Sequence, residues 1–435
     1  MNGFLKEIEK RILVHDGSKG FMLQQMGLKG GECGEEWNII NQDAVREIYR
    51  SYLEAGSDVI QTNTFSGSRM HLQKYGLGDK TYEINYHGVK LAKEITGEKA
   101  FVCASAGPTG YLFEPSGELT FDMARELFRE QVRAFADGGA DIINFESFTD
   151  LAELRAAYFS AREVCDLPVI CSMTFENNGR TLMGTDPFIA VLVLKSLGAD
   201  MVGANCSFGP EHMAGIVKSF YEAGGGYLSI KPNAGLPRVD GDRVVYEETP
   251  EHFADQVSNF IRYGARLIGG CCGTTPPYIS ALKSKIEGME PGSVMKRPSG
   301  YITSTAKYIH ISEIDQDNTG LLDASSDEGF LEAVVRNDWS YIEETALDMA
   351  AEGFDAIRIN VDRAGKDATL LRHVVDRVQW YVREPLILET DNAASLENAL
   401  AVYRGVAGVV INGEEPSKAA LKETAKKYGS VIMAS

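Results

Sequence analysis

Tyr263-Gly264-Ala265-Arg266-Leu267-Ile268-Gly269-Gly270-Cys271-Cys272-Gly273-Thr274-Thr275-Pro276-Pro277 carries the pattern that decides the fold. A glycine suited to the left-handed end of a helix is followed by an apolar run. The run ends in two glycines, and a new helix starts with Thr275 as N-cap and Pro276 in its first turn. Adjacent residues of a regular strand face opposite sides of a sheet. Cys271 and Cys272 can therefore share a target only where the backbone leaves strand geometry, which the flanking glycines allow. The following helix contributes partial positive charge and favours thiolate over thiol. A metal is expected there, with at least one more thiolate from elsewhere in the chain.

The same helix-to-strand join recurs as Ala55-Gly56-Ser57-Asp58, Gly138-Gly139-Ala140-Asp141 and Leu197-Gly198-Ala199-Asp200. Candidate strands lie at 12–15, 58–62, 101–105, 141–145, 169–174, 200–205, 227–231 and 266–269, separated by helical stretches such as 43–55, 124–137, 187–197 and 251–263. The strands are nearly all apolar rather than alternating, as in a parallel sheet buried on both faces. A (β/α)8 TIM barrel over 1–287 fits best, with an open doubly wound sheet as the alternative. Residues 288–304 read as a linker rich in glycine, proline and serine. Alternation resumes over 305–435, with strands at 308–311, 355–361, 385–389, 408–411 and 430–433 and the join Glu352-Gly353-Phe354-Asp355. About five strands make a second, incomplete α/β barrel-like unit, whose open edge must be covered or paired.

Composition narrows the function. The chain has 435 residues, 44% hydrophobic and 24% charged, with a formal net charge of −19. That charge argues against nucleic acid or an anionic membrane as partner. No apolar run approaches the roughly 20 residues that span a bilayer. The N-terminus lacks the apolar core of a secretory signal, so the cytoplasm is the expected location. Seven cysteines do not read as a disulfide framework in a chain of this size. Cys103, Cys165 and Cys171 sit in strand or core settings and read as small hydrophobes; Cys33 reads as incidental.

In a TIM barrel the site lies at the C-terminal ends of the strands. Cys206 follows the sixth strand, and Cys271 and Cys272 follow the eighth, so the three can converge across the mouth. Three thiolates suit Zn²⁺, and three protein ligands leave its fourth position open, as in catalytic zinc sites. A substrate thiol taken there would be held as the nucleophilic thiolate. The histidines are scattered without metal-ligand spacing.

Seven stretches in order resemble the homocysteine S-methyltransferase family, which includes the first module of cobalamin-dependent methionine synthase. They are Asp16-Gly17-Ser18-Lys19-Gly20, Gln61-Thr62-Asn63-Thr64-Phe65, Phe145-Glu146, Ser172-Met173-Thr174-Phe175, Gly203-Ala204-Asn205-Cys206, Lys231-Pro232-Asn233-Ala234-Gly235 and Gly269-Gly270-Cys271-Cys272-Gly273-Thr274. The resemblance implies a zinc site at Cys206, Cys271 and Cys272. It also implies an amino-acid clamp, with Asp16 and Glu146 on the substrate ammonium and Gly17, Ser18 and Thr62 on its carboxylate. The alternative for the two carboxylates is a structural cap or salt bridge. The implied reaction is methyl transfer to homocysteine, giving methionine. Ser18-Lys19 and Phe21 depart from the family's usual Ala-Met and threonine.

Residues 305–435 resemble the start of a pterin-binding barrel through Arg358-Ile359-Asn360-Val361, Leu388-Glu389-Thr390-Asp391-Asn392 and Gly408-Val409-Val410-Ile411-Asn412. The resemblance implies a vestigial pterin site at Asn360, Asn392 and Asn412. Arg358 and Glu389 replace the family's usual aspartates, and an arginine faces a pterin's donors with more donors. The unit therefore reads as a packing or docking half-barrel rather than a folate site. No Asp-x-His-x-x-Gly cobalamin motif occurs, so the expected donor is methylcobalamin on a separate corrinoid protein, served by a separate folate methyltransferase. S-methylmethionine or another small donor is the alternative, as is a docking subunit without catalysis of its own.

Overall fold

Eight parallel strands occupy the eight apolar runs of the first part of the chain. The computed structural model describes residues 3–114, 116–240, 243–246, 248–412 and 416–433. The strands are β1 (Leu13–Val14), β2 (Val59–Gln61), β3 (Phe101–Ala106), β4 (Ile142–Phe148), β5 (Val169–Met173), β6 (Met201–Cys206), β7 (Leu228–Pro232) and, after a small hairpin of β8 (Pro237–Asp240) and β9 (Arg243–Tyr246), β10 (Ala265–Ile268). Their order is β1-β10-β7-β6-β5-β4-β3-β2. A parallel bridge from His15 to Val59 joins the two ends of that order, with Asp58 N donating to Val14 O at 2.7 Å and Asp16 N to Val59 O at 3.1 Å. The sheet is a TIM barrel rather than an open doubly wound sheet.

The recurrent join explains the repeat. Gly56, Gly139, Gly198 and Gly264 all have left-handed φ, between 82° and 97°, which other residues adopt only at a cost. In the first three joins the aspartate two residues further on then anchors the neighbouring strand. Asp58 accepts from Val14 N at 2.9 Å, Asp141 from Val102 N at 2.7 Å and Asp200 from Val169 N at 2.9 Å. Each is also paired with a cation: Asp58 with Arg11 and Lys283, Asp141 with Lys93, Asp200 with Arg162. These three charge-assisted bonds hold the register of β2, β4 and β6 against the strands before them.

The barrel interior changes character along its axis. At the N-terminal end, Leu13, Val59, Cys103, Ile142, Ile170, Met201 and Leu267 pack with Phe4 and Ile8 of the helix Gly3–Lys10. That helix plugs the bottom with apolar surface. Towards the C-terminal end the inward residues become Gln61, Ser105, Asn144, Glu146, Ser172 and Lys231, all buried. Cys103 and Cys171 are buried in strands as expected, and Cys33 is buried in a small cluster with Leu72, Leu77 and Ile84.

The chain divides into two compact units, Met1–Met183 with Ala199–Lys296 and Gly184–Gly198 with Arg297–Ser435. Within 288–304, Gly292 O accepts from Arg266 Nη2 at 2.7 Å, and Lys296 bridges Gly225, both along the first unit. Tyr301–Thr303 is instead a strand, β11, paired antiparallel with β12 (Tyr308–His310). The strand expected at 308–311 is thus one arm of a hairpin. The parallel sheet of the second unit begins with β13 (Thr319–Asp323), which the sequence pattern does not mark. It continues through β14 (Ala356–Asn360), β15 (Leu386–Thr390), β16 (Gly408–Ile411) and β17 (Val431–Met433) in chain order. Tyr403 ties hairpin to sheet, its hydroxyl accepting from Leu386 N at 2.9 Å and donating to Thr303 O at 2.7 Å. No described helix is long and apolar enough to cross a membrane.

Burial alone would raise the Asp58 pKa, but hydrogen bonds from Lys283, Arg11 and the Val14 amide hold it below the ordinary carboxylate value. A depressed carboxylate contributes stability above its unfolded pKa, lost as pH falls through the folded one. Asp58→Asn should therefore cost about 1–3 kcal/mol at pH 7 in urea unfolding. The gap from wild type should close as the pH is lowered through and below the ordinary carboxylate range.

Candidate active site

The segment after β10 stays in contact with both neighbouring strand ends. Gly269 N donates to Ile230 O at 3.1 Å, Gly270 N to Asp16 O at 3.2 Å and Cys271 N to Pro232 O at 2.8 Å, while Cys272 O accepts from Ala234 N at 2.9 Å. Side chains would obstruct this path. A Cβ at Gly269 would lie 2.6 Å from His15 O, at Gly270 2.2 Å from Thr274 Oγ1, and at Gly273 (φ +77°) 2.4 Å from the Tyr246 ring. Thr275 occupies the N-cap position of the helix Pro276–Ile286, but its side chain makes no capping bond. Pro276 and Pro277 have no N–H to cap, which leaves the hydroxyl little to do.

Cys206, at the end of β6, meets this segment. Its Sγ is 3.9 Å from Cys272 Sγ, and one ligand atom from each of Cys206, Cys271 and Cys272 lies within 4.8 Å of the others. Tetrahedral zinc with Zn–S near 2.3 Å requires sulfurs about 3.8 Å apart, so the trio fits a metal of that kind. Asn205 Nδ2 points at Cys271 Sγ at 3.8 Å, and Asn233 Oδ1 accepts from Cys272 N at 3.0 Å. Hydrogen bonds from Cys271 and Cys272 lower the Cys206 pKa to about 3, while Cys271 is pushed up to about 11 and Cys272 also rises, both through Cys206 first. Ser147, Cys206 and Ser207 all have φ near +62°, a strained value for residues with a Cβ. Asn205 holds Ser147 there by accepting from its N and donating to its Oγ, both at 2.8 Å.

The sulfurs open onto a cavity of about 610 Å³ whose wall includes Gly17, Ser18, Lys19, Thr62, Glu146 and Lys231. Asp16 stands behind that wall, 1% exposed. It accepts from His15 Nδ1 at 3.0 Å and Gln61 N at 2.8 Å and pairs with Lys19. Burial would raise the Asp16 pKa, but Lys19, then His15, hold it low; burial keeps His15 below its ordinary value. Glu146 receives Gln61 Nε2, Ser105 Oγ at 2.6 Å, Asn144 Nδ2 at 3.3 Å and Lys231 Nζ. Four donors fill the acceptor capacity of one carboxylate. Ser18 N donates to Thr274 O at 2.9 Å, and Thr62 Oγ1 bonds Thr64 Oγ1 at 2.6 Å and Ser105 N at 3.1 Å. Gly17 packs so closely that a Cβ would lie 2.5 Å from Thr274 O.

The residues singled out in the first unit therefore meet around one cavity, with Asp16 one layer back. Lys231, Gln61, Ser105, Asn144 and Asn205 were read only within motifs or as strand. Their signal is positional: polar side chains at the C-terminal ends of otherwise apolar barrel strands. In the second unit Asn360 Oδ1 accepts from Asp362 N at 3.0 Å, and Asn392 caps the helix Ala393–Val402 by accepting from Ala394 N and Ser395 N. Asn412 and Arg358 both bond Glu389.

The homocysteine S-methyltransferase family model matches residues 13–286. The chain belongs to that family. Methionine synthase of Mycobacterium tuberculosis (strain ATCC 25618 / H37Rv) is 29% identical over 425 residues, covering 91% of this chain and 35% of the synthase. Methionine synthase of Mycobacterium leprae (strain TN) is 28% identical over 466 residues, covering 99% and 38%. The chain thus spans little more than a third of the length of these curated relatives. Among solved structures, the homocysteine methyltransferase MmuM from Escherichia coli, metallated form, superposes with a TM-score of 0.55 at 22% identity, covering 64% of this chain and 97% of that one. Its oxidized form gives 0.56 at 22%, covering 65% and 100%. The likeness is one of fold.

Lys231 and Glu146 have side chains only 3% and 4% exposed. Lys231→Met should cost about 3–5 kcal/mol in chemical unfolding, because it leaves a buried carboxylate unpaired. Adding Glu146→Gln should recover most of that loss.

Proposed function

We propose that the chain transfers a methyl group to the thiol of homocysteine, forming methionine, with zinc at Cys206, Cys271 and Cys272. The observation that carries this reading is the convergence of three sulfurs at the ends of two barrel strands on a cavity whose wall also carries Lys19, Glu146 and Lys231 among apolar and aromatic side chains such as Phe21, Phe65 and Tyr246. Family membership and the methionine synthase relatives support it. The proposed donor is a methyl-corrinoid carried by a separate protein, in keeping with the resemblance to cobalamin-dependent synthases, with a folate methyltransferase upstream of it. The setting is the cytoplasm, since all seven cysteines are free and thiolate ligands persist where thiols stay reduced.

A zinc ion held by the three sulfurs would supply a Lewis acid that keeps a substrate thiol ionised at neutral pH. The chain's own groups position the rest of the amino acid. Of the three carboxylates at the cavity wall, Glu32, Glu35 and Glu146, only Glu146 stands on a barrel strand, and it is placed to meet an ammonium, exchanging one of its four donors for it. Gln61 links it to Asp16 and sets both carboxylates at one side of the cavity. Asn205 and Asn233 fix the loops that carry the sulfurs. Enclosure by the barrel wall limits water around the nucleophile and holds it for attack on the methyl carbon.

Purified protein should contain about one zinc per chain and form methionine from homocysteine with methylcobalamin. Cys206→Ala and Cys272→Ala should each lose the metal and the activity, measured by elemental analysis and product formation. Full metal content in either variant would show a different ligand set, and absence of turnover in the zinc-loaded wild type with any methyl donor would refute the enzymatic reading.

A further inference from the structure

Two lysines stand where the cavity would otherwise be acidic. Lys19 lines the wall in front of Asp16, 9% exposed, pairing with that carboxylate and donating to Gly17 O at 3.1 Å, with the Tyr52 ring 4.9 Å below its nitrogen. Lys231 pairs with Glu146 and donates to Gln61 Oε1 at 2.6 Å. An ammonium has three N–H donors. Among the described residues, two of those of Lys19 are matched by Asp16 and Gly17 O, which leaves one for the cavity. Of the other groups that the family resemblance places on a carboxylate, Ser18 N is engaged on Thr274 O and Thr62 Oγ1 between Thr64 and Ser105, which leaves the Gly17 amide as the neutral donor beside Lys19. Glu146 has four donors already, so a substrate ammonium gains only by exchange. A substrate carboxylate adds a partner to Lys19 without displacing one.

We infer that Lys19 is the residue that recognises the substrate carboxylate, and that the acid end of the substrate contributes more to binding than its amine. This rests on the methyltransferase reading for the identity of the thiol and deepens it by ranking the substrate's two charged ends. Lys19 binds and orients the substrate and takes no part in the transfer itself. The orientation follows: sulfur at the cysteines, ammonium towards Glu146, carboxylate against Lys19.

The test is calorimetric titration of the zinc-loaded full chain with homocysteine, with 4-sulfanylbutanoate (acid without amine) and with 3-sulfanylpropan-1-amine (amine without acid). The acid should bind at least about tenfold tighter than the amine, the scale of one charge-assisted hydrogen bond. Lys19→Met should weaken homocysteine and the acid by about tenfold or more and leave the amine unchanged or tighter; Lys19→Arg should retain the order. Equal binding of acid and amine, or tighter binding of the amine, overturns the assignment even where homocysteine is methylated. An unchanged acid-to-amine ratio in Lys19→Met does the same. Should Lys19→Met fail to fold, the wild-type ranking decides alone. Failure of every thiol to bind overturns this assignment and the methyltransferase reading together.

Discussion

Everything at the barrel mouth depends on how closely the segment 269–274 can lie against its neighbours. Its amides alternate between the ends of β7 and β1, and each glycine stands where a Cβ would meet His15, Thr274 or Tyr246. The segment makes the last turn of the ring and presents two sulfurs at once. A strand cannot do this, because it would send Cys271 and Cys272 to opposite faces. Tyr52 reinforces the arrangement from outside, its hydroxyl 2.8 Å from Thr274 O and 3.0 Å from Ser18 O. The loop after β1 and the loop after β10 are therefore one packed object, and the paired cysteines share their rigidity with the cavity wall.

The second constraint is electrostatic. Asp16 and Glu146 are charged groups in a protein interior, where an unpaired ion costs several kcal/mol. Each is neutralised by a lysine and linked to the other through Gln61, whose amide hydrogen-bonds Asp16 and whose side chain bonds both Glu146 and Lys231. The network makes the wall nearly neutral before any ligand arrives. What a ligand can engage is then the few donors and acceptors that face the cavity unsatisfied, rather than excess charge.

The barrel was legible because its signals are local. A left-handed glycine followed by an aspartate marks where a helix ends and a strand begins, and the structure adds why the aspartate is there: it bonds an amide of the preceding strand. The cysteines were legible for the same reason, since glycine–cysteine runs at strand ends have few other uses. The lysine–carboxylate pairs were not, because Lys19 and Asp16 are near in sequence but Lys231 and Glu146 are 85 residues apart, and no pattern says that two polar strand ends will touch. β13 was missed because Thr319-Gly320-Leu321-Leu322-Asp323 is short and alternates, with Leu321 53% exposed while Gly320 and Leu322 are buried. Tyr308–His310, which looked more strand-like, is a strand of a different kind.

The two units show what separates a site from a scaffold when both are built from parallel strand–helix repeats. In each, polar residues gather at the C-terminal strand ends. In the second unit they are consumed by one another: Glu389 takes both Arg358 and Asn412, Thr390 Oγ1 binds Asp362 at 2.6 Å, and Asn392 is bound to the helix it caps. In the first unit the carboxylates are equally consumed, but three sulfurs and the tip of Lys19 still face open volume. Sulfur is a weak hydrogen-bond partner, so neighbouring amides cannot satisfy a cluster of thiols as they satisfy a carboxylate. Such a cluster at open volume keeps its capacity to take a metal, as the proposed function requires, whereas the polar groups of the second unit are already bound to one another.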